Sequence, residues 1–204
     1  DLAAPLVDTT DIQDFSQEIR LSSTGEGPMQ WVAGVYFNAR DRFYGQEGVV
    51  DGFDQAIGVP GSVFGAPADN VFSGFQNVEQ EQVAVFGEFS YTLDQLTATF
   101  GLRWFDWEQT YGLRSSGIFN GGVTTRASSA EASGINPKLN LSYAVDDDTL
   151  LYAQAAKGFR FGGVNNVVPT DLCAEELAGI GLDAAPDTFD EDSLWNYELG
   201  IKGA

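Results

Sequence analysis

Arginines beside aromatic rings are the residues of this chain best suited to binding a ligand. Arg103, Phe105 and Trp107 alternate along one predicted strand and so share a face of it, and Arg160 lies near the end of another. A guanidinium with neighbouring rings can hold an anionic or aromatic ligand. We therefore expect these four residues to contact a ligand. The simpler alternative is that Arg103 pairs with a carboxylate while the rings pack under loops.

Catalytic chemistry has few candidate residues in this sequence. There is no histidine and only one cysteine, Cys173. His-based triads, Cys–His pairs and His-containing zinc sites are therefore excluded within these 204 residues. No glycine-rich phosphate loop is found, and neighbouring carboxylates such as Asp190 and Asp192 are expected by chance in so acidic a chain. The sequence predicts a protein that is not an enzyme and has no cofactor and no metal site.

The charge of the chain is strongly negative, with 30 acidic against 10 basic side chains and a formal net charge of -20. Such a field repels nucleic acid, so no nucleic-acid partner is expected. Many of the carboxylates lie in the segments 45–76 and 164–193. There they favour a solvated surface that resists aggregation. Recruitment of divalent cations or cationic ligands is the alternative interpretation.

Seven segments in which hydrophobicity alternates with a period of two must position these residues. The pattern predicts strands at 12–22, 29–41, 79–93, 95–110, 131–145, 148–162 and 194–203. The links between them are alternately tight and long, and the long ones have about 37, 20 and 31 residues against about 4–6 in ordinary connections. Short turns at one end and long loops at the other are typical of an antiparallel, up-and-down transmembrane β-barrel. The fold class predicted is therefore all-β.

The two faces of the predicted strands differ in polarity. A soluble β-sandwich would produce the same alternation, with the apolar face turned inward. Aromatic residues on the apolar faces fall near both ends of the strands, as the two interfaces of a membrane favour. They are Trp31, Tyr91 and Tyr143 near the tight turns and Phe37, Trp104 and Trp195 near the long links. This distribution favours strands that cross a membrane.

The same segments resemble the β-barrel part of TonB-dependent outer-membrane receptors. The most specific stretches are Asn136–Leu139, Leu151–Gln154, Lys157–Arg160 and Trp195–Lys202. Similar stretches that precede them are Phe15–Ser23, Trp31–Phe37, Val83–Phe89 and Gly101–Trp104. Together they follow the family's order along nearly the whole chain, apart from the loops.

The resemblance implies a central slice of a larger barrel. Barrels of this family have about 22 strands around a plug, so residues 1–204 would supply about seven strands, without the plug domain and the barrel's carboxyl terminus. It also implies uptake of a scarce nutrient across the bacterial outer membrane, with TonB bound by segments outside this chain. Outer-membrane lipid and an extracellular ligand would be the partners. A ferric siderophore is the first expectation, and cobalamin or an oligosaccharide the next.

Two other functions stay open from the sequence. One is a passive, porin-like barrel, which would have no plug domain. The other is a secreted all-β binding module, which would stay monodisperse in buffer without detergent.

Overall fold

A computed structural model describes residues 4–165 and 173–203. Seven long strands form one antiparallel sheet in these ranges. They are β1 (Leu6–Ser22), β2 (Met29–Val49), β3 (Asn70–Leu93), β4 (Leu96–Ser116), β5 (Thr124–Ala144), β6 (Thr149–Arg160) and β9 (Asp192–Gly203). The two-residue strands β7 (Gly163–Val164) and β8 (Thr188–Phe189) pair with each other in the link between β6 and β9.

The order of strands in the sheet is β1-β2-β3-β4-β5-β6-β9, so every long strand pairs with its neighbour along the chain. The seven predicted strands and the up-and-down, all-β architecture are thereby confirmed. The sheet is not closed into a barrel within these residues, and β1 and β9 form its two edges.

Helical elements lie only in the long links of the described part of the chain. They are α1 (Phe53–Ile57), α2 (Ala174–Gly179) and two short 3-10 helices at Gly61–Phe64 and Ile118–Asn120. Among the described residues, no helix combines the length and the apolar character needed to cross a membrane.

The predicted strand ends were wrong on the side of the long links. β2 continues to Val49 where residue 41 was expected, β3 begins at Asn70 where 79 was expected, and β4 ends at Ser116 where 110 was expected. The link between β4 and β5 therefore covers only residues 117–123. Beyond Trp104 the alternation inverts, because Asp106 and Glu108 continue the face that was apolar while Phe105 and Trp107 are apolar on the opposite face. The hydrogen-bonded pairing with β3 persists through this change.

The sheet has an apolar face and a polar face. Val35, Val85, Trp104 and Ile135 are neighbours in register on the apolar face, and each is between 42% and 52% exposed. On β4 this face runs from Leu96 to Trp104, roughly nine residues, close to the about 9–11 of a tilted transmembrane strand. Such a surface is suited to contact with lipid.

Candidate ligand-facing site

Arg103 lies on the polar face, in register with Phe86 of β3 and Asn136 of β5. Its guanidinium carbon lies 5.5 Å from the ring centre of Tyr36 and 6.0 Å from that of Phe86. These distances are in the range of cation–π contacts, which stabilise a partly desolvated guanidinium. Arg103 thus rests against aromatic rings on the face that would line a barrel interior.

Charged pairs flank this arginine on the polar face. Lys138 donates to Glu88 at 2.9 Å, and Arg20 donates to Glu18 at 2.6 Å. Both pairs are partly exposed, so each contributes little to stability. Together with Arg103 they make this part of the polar face charged, with two balanced pairs and one further positive charge on Arg103.

Phe105 and Trp107 form the centre of a small core on the polar face. Phe105 is 1% exposed and Trp107 is 4% exposed. Phe159 stacks on Phe105 with 3.8 Å between ring centres, and Phe161 stacks on Trp107 at 4.6 Å. Both stacks are nearly parallel, and Ala84 and Ala132 complete the core. In this arrangement the rings of Phe105 and Trp107 are covered by the end of β6 and the residue after it.

Glycines directly opposite aromatic residues make room for these rings. Gly34 pairs with Phe86, and a Cβ atom on Gly34 would lie 2.5 Å from Cζ of that ring. Gly134 pairs with Phe105, and a Cβ atom there would lie 3.0 Å from Cε1. A side chain at either glycine would displace the ring across the strand. The two glycines therefore position Phe86 under Arg103 and Phe105 within the core.

The chain after β6 folds back onto the polar face; residues 161–165 and 186–191 are here called the return segment. Arg126 of β5 holds it by donating to the carbonyl oxygens of Asn165 and Asp187, each at 3.1 Å, and to the Asp187 carboxylate at 2.5 Å. The Arg126 side chain is only 17% exposed. The β7–β8 pairing brings the two halves of the return segment together. This segment covers part of the β4–β5 wall.

Arg160 is placed differently from the other three predicted site residues. It ends β6, pairs in register with Asp192 at the start of β9, and forms an ion pair with it. Its side chain is 75% exposed. The structure thus brings Arg103, Phe105 and Trp107 to one face of β4, while Arg160 is engaged with Asp192.

Three residues that shape this site were not predicted from the sequence: Phe159, Phe161 and Arg126. The signal for the first two was an alternating Phe159–Phe161 pair where the sixth predicted strand ends. Nothing local identified Arg126, because its partners are 39 and 61 residues away along the chain. In the described residues, no group of three or more Cys, Asp or Glu side chains is arranged to hold a metal ion.

Comparison with known proteins gives a family and a fold. The family model described as TonB dependent receptor-like, beta-barrel, matches residues 3–204. The crystal structure of the ferric yersiniabactin uptake receptor FyuA from Yersinia pestis matches with a TM-score of 0.75 at 17% sequence identity. That match covers 98% of this chain but 27% of the FyuA chain, so this chain spans roughly a quarter of that receptor. Because the family match takes in almost every residue, this chain belongs to the TonB-dependent receptor β-barrel family.

Proposed function

We propose that these residues form part of the wall of an outer-membrane receptor that imports a scarce nutrient with energy delivered through TonB. The observation that carries the proposal is the family match over residues 3–204, and a sheet that is apolar on one face and polar on the other supports it. The apolar face suits lipid and the polar face suits a barrel interior. Membership of this family implies the outer membrane of a Gram-negative bacterium. The proposed role is transport and not catalysis.

The proposal assigns residues 1–204 to one domain, a partial barrel that further strands complete. Seven strands with free edges at β1 and β9 are too few to surround a lumen wide enough for a plug. The 27% coverage of the FyuA chain also supports a larger whole. The plug and the TonB-binding segment would then be supplied by residues outside this stretch.

A ferric siderophore is the nutrient we propose first, with cobalamin or an oligosaccharide as alternatives. The printed description of FyuA, a ferric yersiniabactin uptake receptor, supports that order. Arg103, Phe105, Trp107 and Arg160 remain the proposed ligand contacts. Of these, Arg103 is accessible from the polar face, whereas Phe105 and Trp107 can reach a ligand only if Phe159 and Phe161 withdraw from them.

Uptake by cells tests the proposal. Cells with and without the complete gene, each with and without TonB, are supplied with a radioactive ferric siderophore under iron limitation. We expect uptake only where both the gene and TonB are present, because an energised receptor needs both. A panel that includes cobalamin and an oligosaccharide identifies the nutrient.

Two other outcomes would contradict the proposal. Uptake that depends on the gene but not on TonB would favour a passive, porin-like barrel. A gene product recovered from the culture medium as a monodisperse protein without detergent would favour a secreted β-module.

A further inference from the structure

A cavity of about 450 Å³ opens on the polar face, near the long-link ends of β2, β3 and β4. The register of the strands places the residues that line the cavity on one face of the sheet. One row across the strands is Tyr44, Gln76 and Leu113, and the next is Gln46, Gly74 and Ser115. Its principal side chains are Tyr44, Gln46, Phe72, Gln76, Tyr111 and Phe119. The cavity therefore lies on the interior side of the wall, at the end where the long links lie.

Among the residues that the structure describes, those that line this cavity carry no charged side chain. Charged side chains at its margin are held by neighbours. Gln46 donates to Asp8 at 2.9 Å, Arg42 lies 5.5 Å from the ring centre of Tyr44, and Arg126 is paired with Asp187. These contacts leave amides, hydroxyls and rings as the groups that face the cavity.

The chemistry of the lining favours hydrogen bonding together with ring stacking. Partial removal from water raises the pKa of Tyr44 and of Tyr111 above the usual value, and the neighbouring Asp8 carboxylate adds to this rise at Tyr44. A phenol is protonated at neutral pH even at its ordinary pKa of about 10, so both hydroxyls can donate. The Gln76 amide can donate and accept, whereas the Gln46 amide nitrogen already donates to Asp8 at 2.9 Å and to the Tyr44 hydroxyl at 3.1 Å and offers a ligand its carbonyl oxygen. Phe72 and Phe119 present rings, and Phe119 is 73% exposed. Buried polar ligand groups need such partners, whereas a buried anion needs a compensating charge.

A second cavity lower on the polar face has the opposite character. It is lined by Glu18, Arg20, Glu88, Arg103 and Lys138. Along one wall, the lower cavity therefore offers charged groups to a ligand, and the upper cavity offers uncharged groups. In addition, the net charge of -20 disfavours the approach of an anionic ligand.

We propose that the cavity lined by Tyr44, Gln46, Phe72, Gln76, Tyr111 and Phe119 binds an uncharged ligand that has hydrogen-bonding groups and an apolar or ring face. This inference rests on the proposed uptake function and narrows its substrate class. Two kinds of nutrient share this chemistry: a neutral ferric chelate and a neutral oligosaccharide. A highly anionic ferric chelate does not share this chemistry, because it is not uncharged.

Equilibrium binding to the complete receptor in detergent tests the inference. The probes are a neutral ferric trihydroxamate, a linear neutral glucose oligosaccharide and a trianionic ferric tricatecholate. The variants are Tyr111→Phe, which removes one oxygen atom, and Gln76→Leu, which removes the amide. Asn77→Leu is the matched control, because Asn77 is exposed on the other face of β3. Heat-resistant gel mobility verifies that each variant is a folded barrel.

We expect at least one neutral probe to bind, and its Kd to rise about tenfold in each cavity variant, as the loss of one buried hydrogen bond implies. The control should bind as the unchanged receptor does. Which neutral probe binds distinguishes an iron source from a carbohydrate source. Failure of both neutral probes, equal Kd values in all variants, or tight tricatecholate binding that the cavity variants weaken would each overturn the inference. Uptake without TonB would refute the proposed function but leave this binding result standing.

Discussion

Phe100 lies in the middle of the apolar face of β4 with 52% of its surface exposed, whereas the adjacent Thr99 lies on the polar face. The Thr99 hydroxyl is 2.8 Å from that of Ser90 on the neighbouring strand. In a membrane, Phe100→Arg should therefore place a guanidinium in lipid, at a cost of about 2–4 kcal/mol near the bilayer midplane. The measurement is the fraction of heat-resistant barrel in the complete receptor after membrane assembly.

Thr99→Arg is the matched control for this prediction. It introduces the same side chain one residue away but on the polar face, so we expect a clearly smaller loss of folded barrel. Equal losses at the two positions would show that the assignment of the lipid-facing side is wrong.

At the level of elements, the return segment is held by the Phe161 ring stacked on Trp107, by Arg126 and by the β7–β8 pairing. Phe161→Ala should remove the stack on Trp107 and lower the free energy of local opening by roughly 1 kcal/mol. Amide hydrogen exchange in residues 162–165 should then become about fivefold faster, because exchange reports local opening. Mass spectrometry of the complete receptor measures this rate.

Phe119→Ala serves as the control for the return segment. Phe119 is 73% exposed and lies in the 3-10 helix between β4 and β5, so its loss should not change exchange in residues 162–165. Unchanged exchange in Phe161→Ala would mean that Arg126 and the β7–β8 pairing hold the segment without the aromatic stack.

The strands themselves have two zones. In the first, the apolar face is continuous; in the second, beyond Phe37, Val83 and Trp104, carboxylates such as Asp106 and Glu108 take its place. Both zones belong to the same hydrogen-bonded ladder. The paired strands thus extend past the roughly nine residues that suit lipid, and the proposed uncharged cavity lies in the second zone.

At the scale of the whole molecule, the sheet exposes an apolar face and two unpaired edges. Both features favour association with lipid, detergent or further strands over a stable monomer in water. We expect residues 1–204, expressed separately, to aggregate or to require detergent. Light scattering and thermal unfolding in plain buffer measure this. A soluble monomer with a cooperative melt would contradict the assignment to a partial barrel and favour the secreted β-module.

The sequence by itself determined the number of long strands, their order and which residues of each central strand are apolar. Alternation with a period of two is a local property of a strand with one face in lipid, as in 96–104, so it needs no knowledge of distant partners. The same reasoning placed Arg103, Phe105 and Trp107 on one face.

Only the tertiary structure decided where the strands end and what covers the site. Pairing continues where the apolar side chains change faces, as at Phe105 and Trp107 beyond Trp104, so an apolar face of fixed parity did not mark the end of β4. Phe86 interrupts the alternation because Gly34, directly opposite it, leaves space for its ring. The burial of Trp107 depends on Phe161, which stacks on it from 54 residues further along the chain. Such contacts join residues far apart in the chain, and local sequence patterns do not encode them.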